Sequence, residues 1–378
     1  MKIAINLLPY ASYQGIETYT VNLVSALSRN FPNDQFILLK SPFSPKFLTV
    51  AAPNVSEYVI PVSASRKYLL AIVQQTKIKK AMRATGADIL FCTSPAGPLF
   101  LKNKIVTIHD CAYDRFPEFA SLFSKWYFKA MFYAAKYRSR GVITISEFSK
   151  KELVDLYGFR AGNVHAIYSA LPELPAVPPD FQVKVLEKFG VEKGKYFFYV
   201  GNTRPRKNIL GLLAAFARFS RLQEYKLVLA GKIDKRFLDI AAEAAKLGIA
   251  ERVVQTDFIS DEEKVALYMG AAALAFPSYY EGFGFPVLEA QSLGVPVITS
   301  NASSLPEVGG SKGALYVDPY NVQNIASAME KMVADGSLRE ELIAAGHENV
   351  KRFSWDKTAK ETMEVLREAA QKSSTISS

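Results

Sequence analysis

Two glutamates, Glu281 and Glu289, bracket a glycine-rich turn that could hold a phosphorylated sugar. The turn follows an apolar run at 271–276, typical of a buried parallel strand, and leads into a helix opened by a proline. Backbone N–H groups at a helix N-terminus attract phosphate, and Gly282 and Gly284 let backbone approach a ligand closely. Carboxylates beside such a turn accept hydrogen bonds from hydroxyls. Hydroxyls next to phosphates indicate a sugar nucleotide.

A second candidate segment, 201–208, follows another apolar strand and carries three cations just before a predicted helix. Arg206 and Lys207 suit a diphosphate whose charge grows as its bond to a sugar breaks, and Arg204 is the less favoured third. The alternative is a solvated basic turn. His109 ends the fifth predicted strand beside Asp110, and by itself this pair is typical of a hydrogen-bonded imidazole capping a strand.

The elements that position these residues alternate along the chain, which indicates two doubly wound parallel sheets. Ligands of such sheets bind outside the carboxyl ends of the strands, where the candidate residues fall. Strands are predicted at Lys2–Leu8, Gln35–Leu39, Tyr58–Val62, Ala87–Cys92, Ile105–His109, Gly141–Ile145 and Val164–Tyr168, then at Tyr196–Val200, Lys226–Ala230, Val253–Thr256, Ala272–Phe276 and Val295–Thr299. Helices are predicted between them, among them Ile16–Ser28, which Gly15 precedes, Tyr68–Thr85, Leu122–Arg138 and Glu147–Leu156, then Ile209–Arg221, Arg236–Leu247, Asp261–Met269, Val287–Leu293, Val322–Asp335 and Leu338–Arg352. The predicted organisation is a domain at 1–172, a proline-rich linker at 173–180, a domain at 181–354, a helix at 355–372 and a disordered tail at 373–378.

Composition agrees with a two-domain enzyme, because 378 residues with 49% hydrophobic content can form two sizeable cores. The two cysteines, Cys92 and Cys111, make no disulfide framework and are predicted to be buried free thiols in a reducing compartment. The apolar run at the N-terminus is too short for a signal peptide or a spanning helix. We therefore expect a cytoplasmic protein, with peripheral association at the inner face of the membrane as an option.

The net charge of +10 lies in the N-terminal half, since residues 1–175 carry 21 Lys/Arg and 11 Asp/Glu. This imbalance favours an anionic partner such as a membrane surface or a lipid-linked phosphate; nucleic acid is disfavoured because no nucleic-acid module is present. Segment 116–140 interleaves aromatic rings with cations, which fits an interfacial membrane helix and a core helix with a basic outer face equally well. Segment 77–83 adds a second basic helix, usually a solvated face.

The spacing of Glu281 and Glu289 resembles the Glu-x7-Glu motif of retaining glycosyltransferases with the GT-B fold, and its context resembles family 4. The flanking segments 294–301, 304–309, 317–319 and 353–355 agree with that family. The resemblance implies two Rossmann-like domains facing a central cleft, the first binding the acceptor and the second a nucleotide sugar. It also implies a final helix that crosses back to the N-terminal domain.

By this resemblance, His109 contacts hydroxyls of the transferred sugar, Glu281 its 3- or 4-hydroxyl, and Glu289 the ribose. Arg206 and Lys207 neutralise the diphosphate, with backbone N–H groups of the glycine-rich turn and its helix. The predicted nucleotide-sugar positions are Gly15, Gly201, Arg206, Lys207, Gly231, Phe258, Gly282, Phe283, Gly284, Phe285, Val287, Leu288 and Glu289. Relatives often have a glycine where Glu17 stands and an arginine where Asn202 stands.

The resemblance implies that an acceptor hydroxyl attacks the sugar from the same face as the departing phosphate, so that the configuration is retained. A phosphate oxygen would take the proton of that hydroxyl. No Asp-x-Asp pair or metal-ligand spacing occurs, so no metal is expected. GDP-mannose is the predicted donor and a lipid-linked saccharide the predicted acceptor, in bacterial surface polysaccharide assembly. A phosphorylase or synthase of the same fold and a non-catalytic nucleotide-binding subunit remain alternatives. A dehydrogenase is disfavoured because no Gly-x-Gly-x-x-Gly follows a predicted strand, and a paired-carboxylate glycosidase fits poorly.

Overall fold

The computed structural model describes residues 1–8, 14–45, 48–62, 67–119, 121–220, 224–232, 234 and 237–374. The chain divides into two compact units, one formed by Met1–Pro172 with Phe353–Ser378 and the other by Glu173–Arg352. Each unit has its own parallel sheet and its own hydrophobic core.

The first unit is built on a seven-stranded parallel sheet in the order β3-β2-β1-β4-β5-β6-β7. Its strands are β1 Lys2–Asn6, β2 Gln35–Lys40, β3 Val55–Val59, β4 Ile89–Cys92, β5 Lys104–Thr107, β6 Gly141–Thr144 and β7 Val164–Ala166. The helices are α1 Gln14–Asn30, α2 Lys67–Thr85, α3 Ala112–Arg115, α4 Leu122–Arg138 and α5 Glu147–Tyr157. The central strands are buried on both faces, which explains why they are mainly apolar.

Three expectations for this unit need correction. The third strand begins at Val55, because β3 is the half-exposed edge strand paired only with β2 and its hydrophobic signal is weak. The fifth strand ends at Thr107, so His109 lies in the loop beyond it rather than at its last position. Gly15 lies in the first turn of α1 instead of preceding the helix.

The second unit is built on a six-stranded parallel sheet in the order β10-β9-β8-β11-β12-β13. Its strands are β8 Tyr196–Val200, β9 Lys226–Ala230, β10 Val253–Asp257, β11 Ala273–Phe276, β12 Val297–Ser300 and β13 Leu315–Val317. The helices are α6 Pro179–Lys188, α7 Ile209–Ser220, α8 Ile240–Lys246, α9 Asp261–Gly270, α10 Phe285–Ser292, α11 Leu305–Gly309, α12 Val322–Ala334 and α13 Gly336–Val350. All candidate residues from 201 to 289 belong to this unit.

In this unit the sequence pattern did not predict the short strand β13 or the helix α6, which begins with a proline. The linker ends at Pro178, because Pro179 takes the first position of α6, where its missing N–H costs nothing. The three-residue strand β13 is too short to show a period. Helix α8 begins at Ile240, with Asp239 as its N-cap, later than expected. The expected start at Arg236 lies outside the described residues.

A final helix, α14 Trp355–Ser374, belongs to the first unit and packs on α1. The Trp355 indole N–H donates to the Leu171 carbonyl at 2.8 Å, and the Thr358 hydroxyl donates to the Tyr168 carbonyl at 2.7 Å. The helix includes the first two residues of the predicted tail, and 375–378 lie outside the described residues. The prediction that Cys92 and Cys111 are buried is confirmed. Within the described ranges, no helix is long and apolar enough to span a bilayer.

Candidate functional site

The loop between β11 and α10 carries the first glutamate, and neighbouring hydroxyls fix its backbone. The Ser304 hydroxyl lies 2.8 Å from the carbonyl oxygens of both Glu281 and Phe283. The Ser303 hydroxyl accepts the Glu281 N–H at 3.0 Å. Gly284 has φ +117° and precedes α10, and a Cβ there would lie 2.7 Å from Leu305 Cδ2. The turn therefore requires glycine at 284 for both its conformation and its packing.

The Glu281 carboxylate is held between two cations. Arg206 Nη1 contacts Oε2 at 2.8 Å and Lys207 Nζ contacts Oε1 at 2.6 Å. Glu281 is 6% exposed and Lys207 8% exposed, so the pair is buried. Burial would raise the pKa of the Glu281 carboxyl, but the Lys207 charge and then the Arg206 charge outweigh burial and hold that pKa below its ordinary value. One carboxylate between two cations leaves a net positive charge at this point of the sheet edge.

A 3₁₀ turn at Pro205–Lys207 brings the two cations to the carboxyl end of β8. Asn208 ends this turn with φ +55°, a left-handed conformation that asparagine tolerates. Its side-chain amide donates to the carbonyls of Pro277 at 3.0 Å and Pro319 at 2.7 Å. The Asn208 side chain thus ties the basic turn to the loop carrying Glu281, so that three strand ends are joined.

The Glu289 carboxylate on α10 has partners on α9. Lys264 Nζ contacts Oε1 at 3.0 Å, and the Tyr268 hydroxyl donates to Oε2 at 2.9 Å. Burial would lower the pKa of Lys264, but Glu289 outweighs burial and raises it, whereas burial and then Glu289 both raise the pKa of Tyr268. Each carboxylate oxygen of Glu289 therefore has a partner inside the protein, and these two contacts fix the orientation of the side chain.

The nucleotide positions predicted at neighbouring strand ends are also close together. A Cβ on Gly231 would overlap the Gly201 carbonyl oxygen, so the ends of β8 and β9 approach each other through glycine. Phe258 follows β10 and is 78% exposed, which leaves its ring open to an aromatic base. Asp257 before it has φ +54°, which turns the chain at this edge.

His109 belongs to the first unit. Its Nε2 lies 2.9 Å from the Thr93 carbonyl, and its ring meets the Tyr19 ring edge to face at 5.0 Å. Burial lowers the pKa of His109 despite the Thr93 carbonyl and the Asp110 charge, which favours a neutral imidazole near pH 7. Asp110 Oδ1 accepts the Ala112 N–H at 3.1 Å and so fixes the loop. Gly15 is exposed in α1 of the same unit.

Comparison with known proteins identifies the family of the chain. A family model described as "Glycosyl transferases group 1" matches residues 184–349, and one described as "Glycosyltransferase Family 4" matches residues 13–172. The Escherichia coli protein named O-antigen chain mannosyltransferase B is 32% identical over 271 residues, which is 70% of either chain. The chain belongs to the group 1, family 4 glycosyltransferases. The Salmonella typhimurium O-antigen chain mannosyltransferase RfbU is 26% identical over 84% of this glycosyltransferase and 87% of that protein.

Solved structures share the fold of this glycosyltransferase over nearly its whole length. WaaG, a glycosyltransferase involved in lipopolysaccharide biosynthesis, has a TM-score of 0.72 at 14% identity, covering 96% of this chain and 99% of that one. The Anabaena protein HepE in complex with UDP and glucose has a TM-score of 0.75 at 17% identity, and the match covers 97% of this chain and 100% of that one. These similarities show the fold alone, and the predicted GT-B class is confirmed.

The first turn of α10 in the glycosyltransferase differs from one prediction. The Val287 N–H, expected to face the diphosphate, donates to the Gly284 carbonyl at 3.0 Å as part of the first turn. The Phe283 side chain is buried and lies 5.1 Å, between ring centroids, from Phe285, so only its backbone suits a ligand contact. Within the described residues, no group of three or more His, Cys, Asp or Glu side chains could hold a metal ion.

Sequence reasoning missed the residues that support the glutamates in this glycosyltransferase. Lys264 and Tyr268 stand one turn apart on α9, a spacing that also occurs on ordinary surface helices. The start of that helix does carry a sequence signal, since Ser260 and Glu263 form a capping box in which the serine hydroxyl accepts the Glu263 N–H. Ser303 gave no signal of its role. Ser304 begins segment 304–309, which agrees with the family, but a serine in a loop does not indicate its partners.

Proposed function

We propose that this glycosyltransferase moves a mannosyl residue from GDP-mannose to a lipid-linked saccharide with retention of configuration, without a metal ion. The mannosyl assignment rests on the relatives named O-antigen chain mannosyltransferases. The same names support a place in bacterial surface polysaccharide assembly. Peripheral association with the membrane is part of this proposal, because a lipid-linked acceptor is held at a bilayer.

The cluster of Glu281, Lys207 and the partly buried Arg206 is the observation that carries the proposal. Arg206 and Lys207 have two positive charges against one carboxylate, which suits the growing charge of a leaving diphosphate. Such pre-positioned cations need little reorganisation during the reaction, which favours the transition state over the bound substrate. Glu281 stands next to Gly282 in the turn, where its carboxylate can accept a sugar hydroxyl.

In the proposed reaction, the acceptor oxygen forms a bond to the anomeric carbon as the bond from that carbon to the diphosphate breaks. The acceptor proton passes to the departing phosphate oxygen on the same face. Glu289 accepts the ribose hydroxyls, and His109, as a neutral imidazole, hydrogen-bonds the transferred sugar. Phe258 packs on the base, while Gly201, Gly231, Gly282 and Gly284 allow the backbone to approach the donor.

Nucleotide binding is the first test. We expect GDP to raise the melting temperature of the wild type more than UDP or dTDP, and this shift to be lost in Glu289→Ala and Lys207→Ala. A ligand at about 100 times its dissociation constant adds about 2.7 kcal/mol of stability. Ser327→Ala on α12 is a matched control outside the site. A shift with a uridine or thymidine nucleotide alone would refute GDP-mannose.

Product analysis tests the reaction itself. We expect an α-linked mannoside from the α-linked donor, identified by NMR, with turnover unchanged by EDTA. A β-linked product would refute retention, and loss of turnover in EDTA would refute metal independence. Release of a free sugar phosphate when inorganic phosphate replaces the saccharide would indicate a phosphorylase, and nucleotide binding with no turnover on any acceptor would indicate the non-catalytic alternative.

A further inference from the structure

The excess positive charge of the chain is concentrated on one face of the first sheet. Helices α2 and α4 together carry nine Lys or Arg residues and no Asp or Glu. Helices α1 and α14 each carry equal numbers of acids and bases. Helix α5 packs beside α4 through Tyr157 and is nearly neutral, with three acids and two lysines. The sequence alone gives the charge of each helix but not which helices share a surface.

Helices α2 and α4 lie on the same face. Helix α1 connects β1 to β2, which is one direction across the strand order. Helices α2 and α4 connect β3 to β4 and β5 to β6, which is the opposite direction. Because such crossovers are right-handed, α1 takes the opposite face from α2 and α4. The core agrees, since Ile78 and Met82 of α2 and Phe132 and Ala135 of α4 belong to one buried cluster. We call the solvent-exposed side chains of these two helices the α2–α4 face.

Exposed aromatic rings of α4 lie on the α2–α4 face, and other residues of this helix pack against the core. Phe123, Trp126, Tyr133 and Tyr137 are 50%, 72%, 45% and 65% exposed. Their spacing of three, seven and four residues places them on one stripe of the helix, opposite the buried Phe132. The two alternatives for 116–140, an interfacial helix and a core helix, are therefore compatible, because α4 buries one face and exposes a second aromatic one.

Three cations of α2 are available to a partner. Lys79, Lys80 and Arg83 on α2 are exposed, and none of them forms an ion pair with another residue that the structure describes. On α4, Lys129 Nζ lies 6.0 Å from the centroid of the Trp126 ring. Rings with cations beside them match a lipid interface, where rings sit at headgroup depth and cations meet anionic headgroups.

We infer that the α2–α4 face docks the protein on an anionic phospholipid bilayer. The inference deepens the proposed function, since a lipid-linked acceptor would be presented at that bilayer, but its test does not depend on turnover. Charge complementarity selects this occupant: a polybasic surface is attracted to anionic lipid by about 1 kcal/mol per basic residue, about fivefold in binding. The exposed rings add an apolar contribution that a soluble polyanion would not use.

Flotation of the full chain with vesicles tests the charge contribution. We expect binding to phosphatidylcholine vesicles containing phosphatidylglycerol, weak binding to phosphatidylcholine alone, and release by high salt. The triple variant Lys79→Glu, Lys80→Glu and Arg83→Glu should lower the partition coefficient on the order of a hundredfold. Equal binding to both vesicle types, or no vesicle binding by the wild type, would overturn the inference.

A control variant with the same change in net charge, made in the second unit, distinguishes the effect of the α2–α4 face on vesicle binding from the effect of overall charge. Lys184→Glu, Lys193→Glu and Lys312→Glu alter exposed lysines that belong to the second unit. We expect this control to keep most vesicle binding. Equal loss in both triple variants would show that net charge alone is responsible and would overturn docking through this face. The thermal shift with GDP should be intact in both, so failure at the membrane is distinguishable from failure of the nucleotide site.

Fluorescence of Trp126 tests the ring contribution. We expect its emission to shift to the blue on anionic vesicles and to be quenched by brominated acyl chains, with both signals absent in Trp126→Phe. Salt-sensitive binding without either signal would refute docking through α4. Binding to RNA or to an acidic protein but not to vesicles would assign the basic face to a different partner.

Discussion

Replacing Lys207 by methionine is expected to destabilise the second unit through Glu281. The lysine contacts Glu281 Oε1 at 2.6 Å, and methionine keeps most of the aliphatic stem without the charge. Lys207 Nζ also lies 4.9 Å from the Phe276 ring centroid, a position that an apolar side chain can occupy. The substitution therefore mainly removes the charge partner of a buried carboxylate.

The magnitude follows from what remains around Glu281. Breaking a buried ion pair by removing one partner costs about 3–5 kcal/mol, because the other charge stays buried without compensation. Arg206 still contacts Oε2 at 2.8 Å after the change, so we expect the lower end, about 3 kcal/mol at pH 7. In a Glu281→Gln background the same substitution should cost about 1 kcal/mol or less, since a neutral amide needs no counter-charge.

The cost should depend on pH with a defined sign. In the wild type the folded-state pKa of Glu281 is lowered, so its stabilising contribution is present above the ordinary carboxyl pKa, about 4.3, and is lost as pH falls through the folded value. Without Lys207, burial is less well compensated and the pKa of Glu281 rises. The destabilisation by Lys207→Met should therefore be largest near pH 7 and shrink toward acid pH.

Urea unfolding of the wild type, both single variants and the double variant measures this coupling. We expect a coupling energy of about 2 kcal/mol at pH 7 between Lys207 and Glu281. Lys184→Met, an exposed lysine of the same unit, is the matched control and should change stability by less than about 0.5 kcal/mol. If Lys207→Met costs the same in the wild type and in the Glu281→Gln background at every pH, the reasoning is refuted.

Two further predictions concern the same unit. Gly231→Ala should be strongly destabilising in thermal unfolding, because its Cβ meets the Gly201 carbonyl and its φ is +120°; a near-neutral result would contradict the close approach of β8 and β9. Tyr268→Phe removes a charge-assisted hydrogen bond to Glu289 and should cost about 1.5–3 kcal/mol and weaken GDP binding. Tyr196→Phe removes a bond from an equally buried tyrosine to a backbone carbonyl of α9 and should leave GDP affinity unchanged.

Long apolar strands were predictable because burial on both faces of a parallel sheet leaves a continuous hydrophobic signal. The strands β8 and β9 have the predicted bounds, and α4 begins and ends at the predicted residues. The edge strand β3 and the short strand β13 were misplaced or missed, since one is half-exposed and the other has three residues. Local pattern fails where burial is partial or the element is short.

The sequence by itself determined the family and the residue types at the candidate site, because strand ends, glycines and the two glutamates lie in fixed order along the chain. Only the tertiary structure decided which residues contact each other. Glu281 meets Lys207 across 74 residues of sequence, and Glu289 meets Tyr268 across 21. The same is true of the basic face, since two helices share it through the handedness of their crossovers. Contacts of this kind depend on packing in three dimensions, which local composition does not specify.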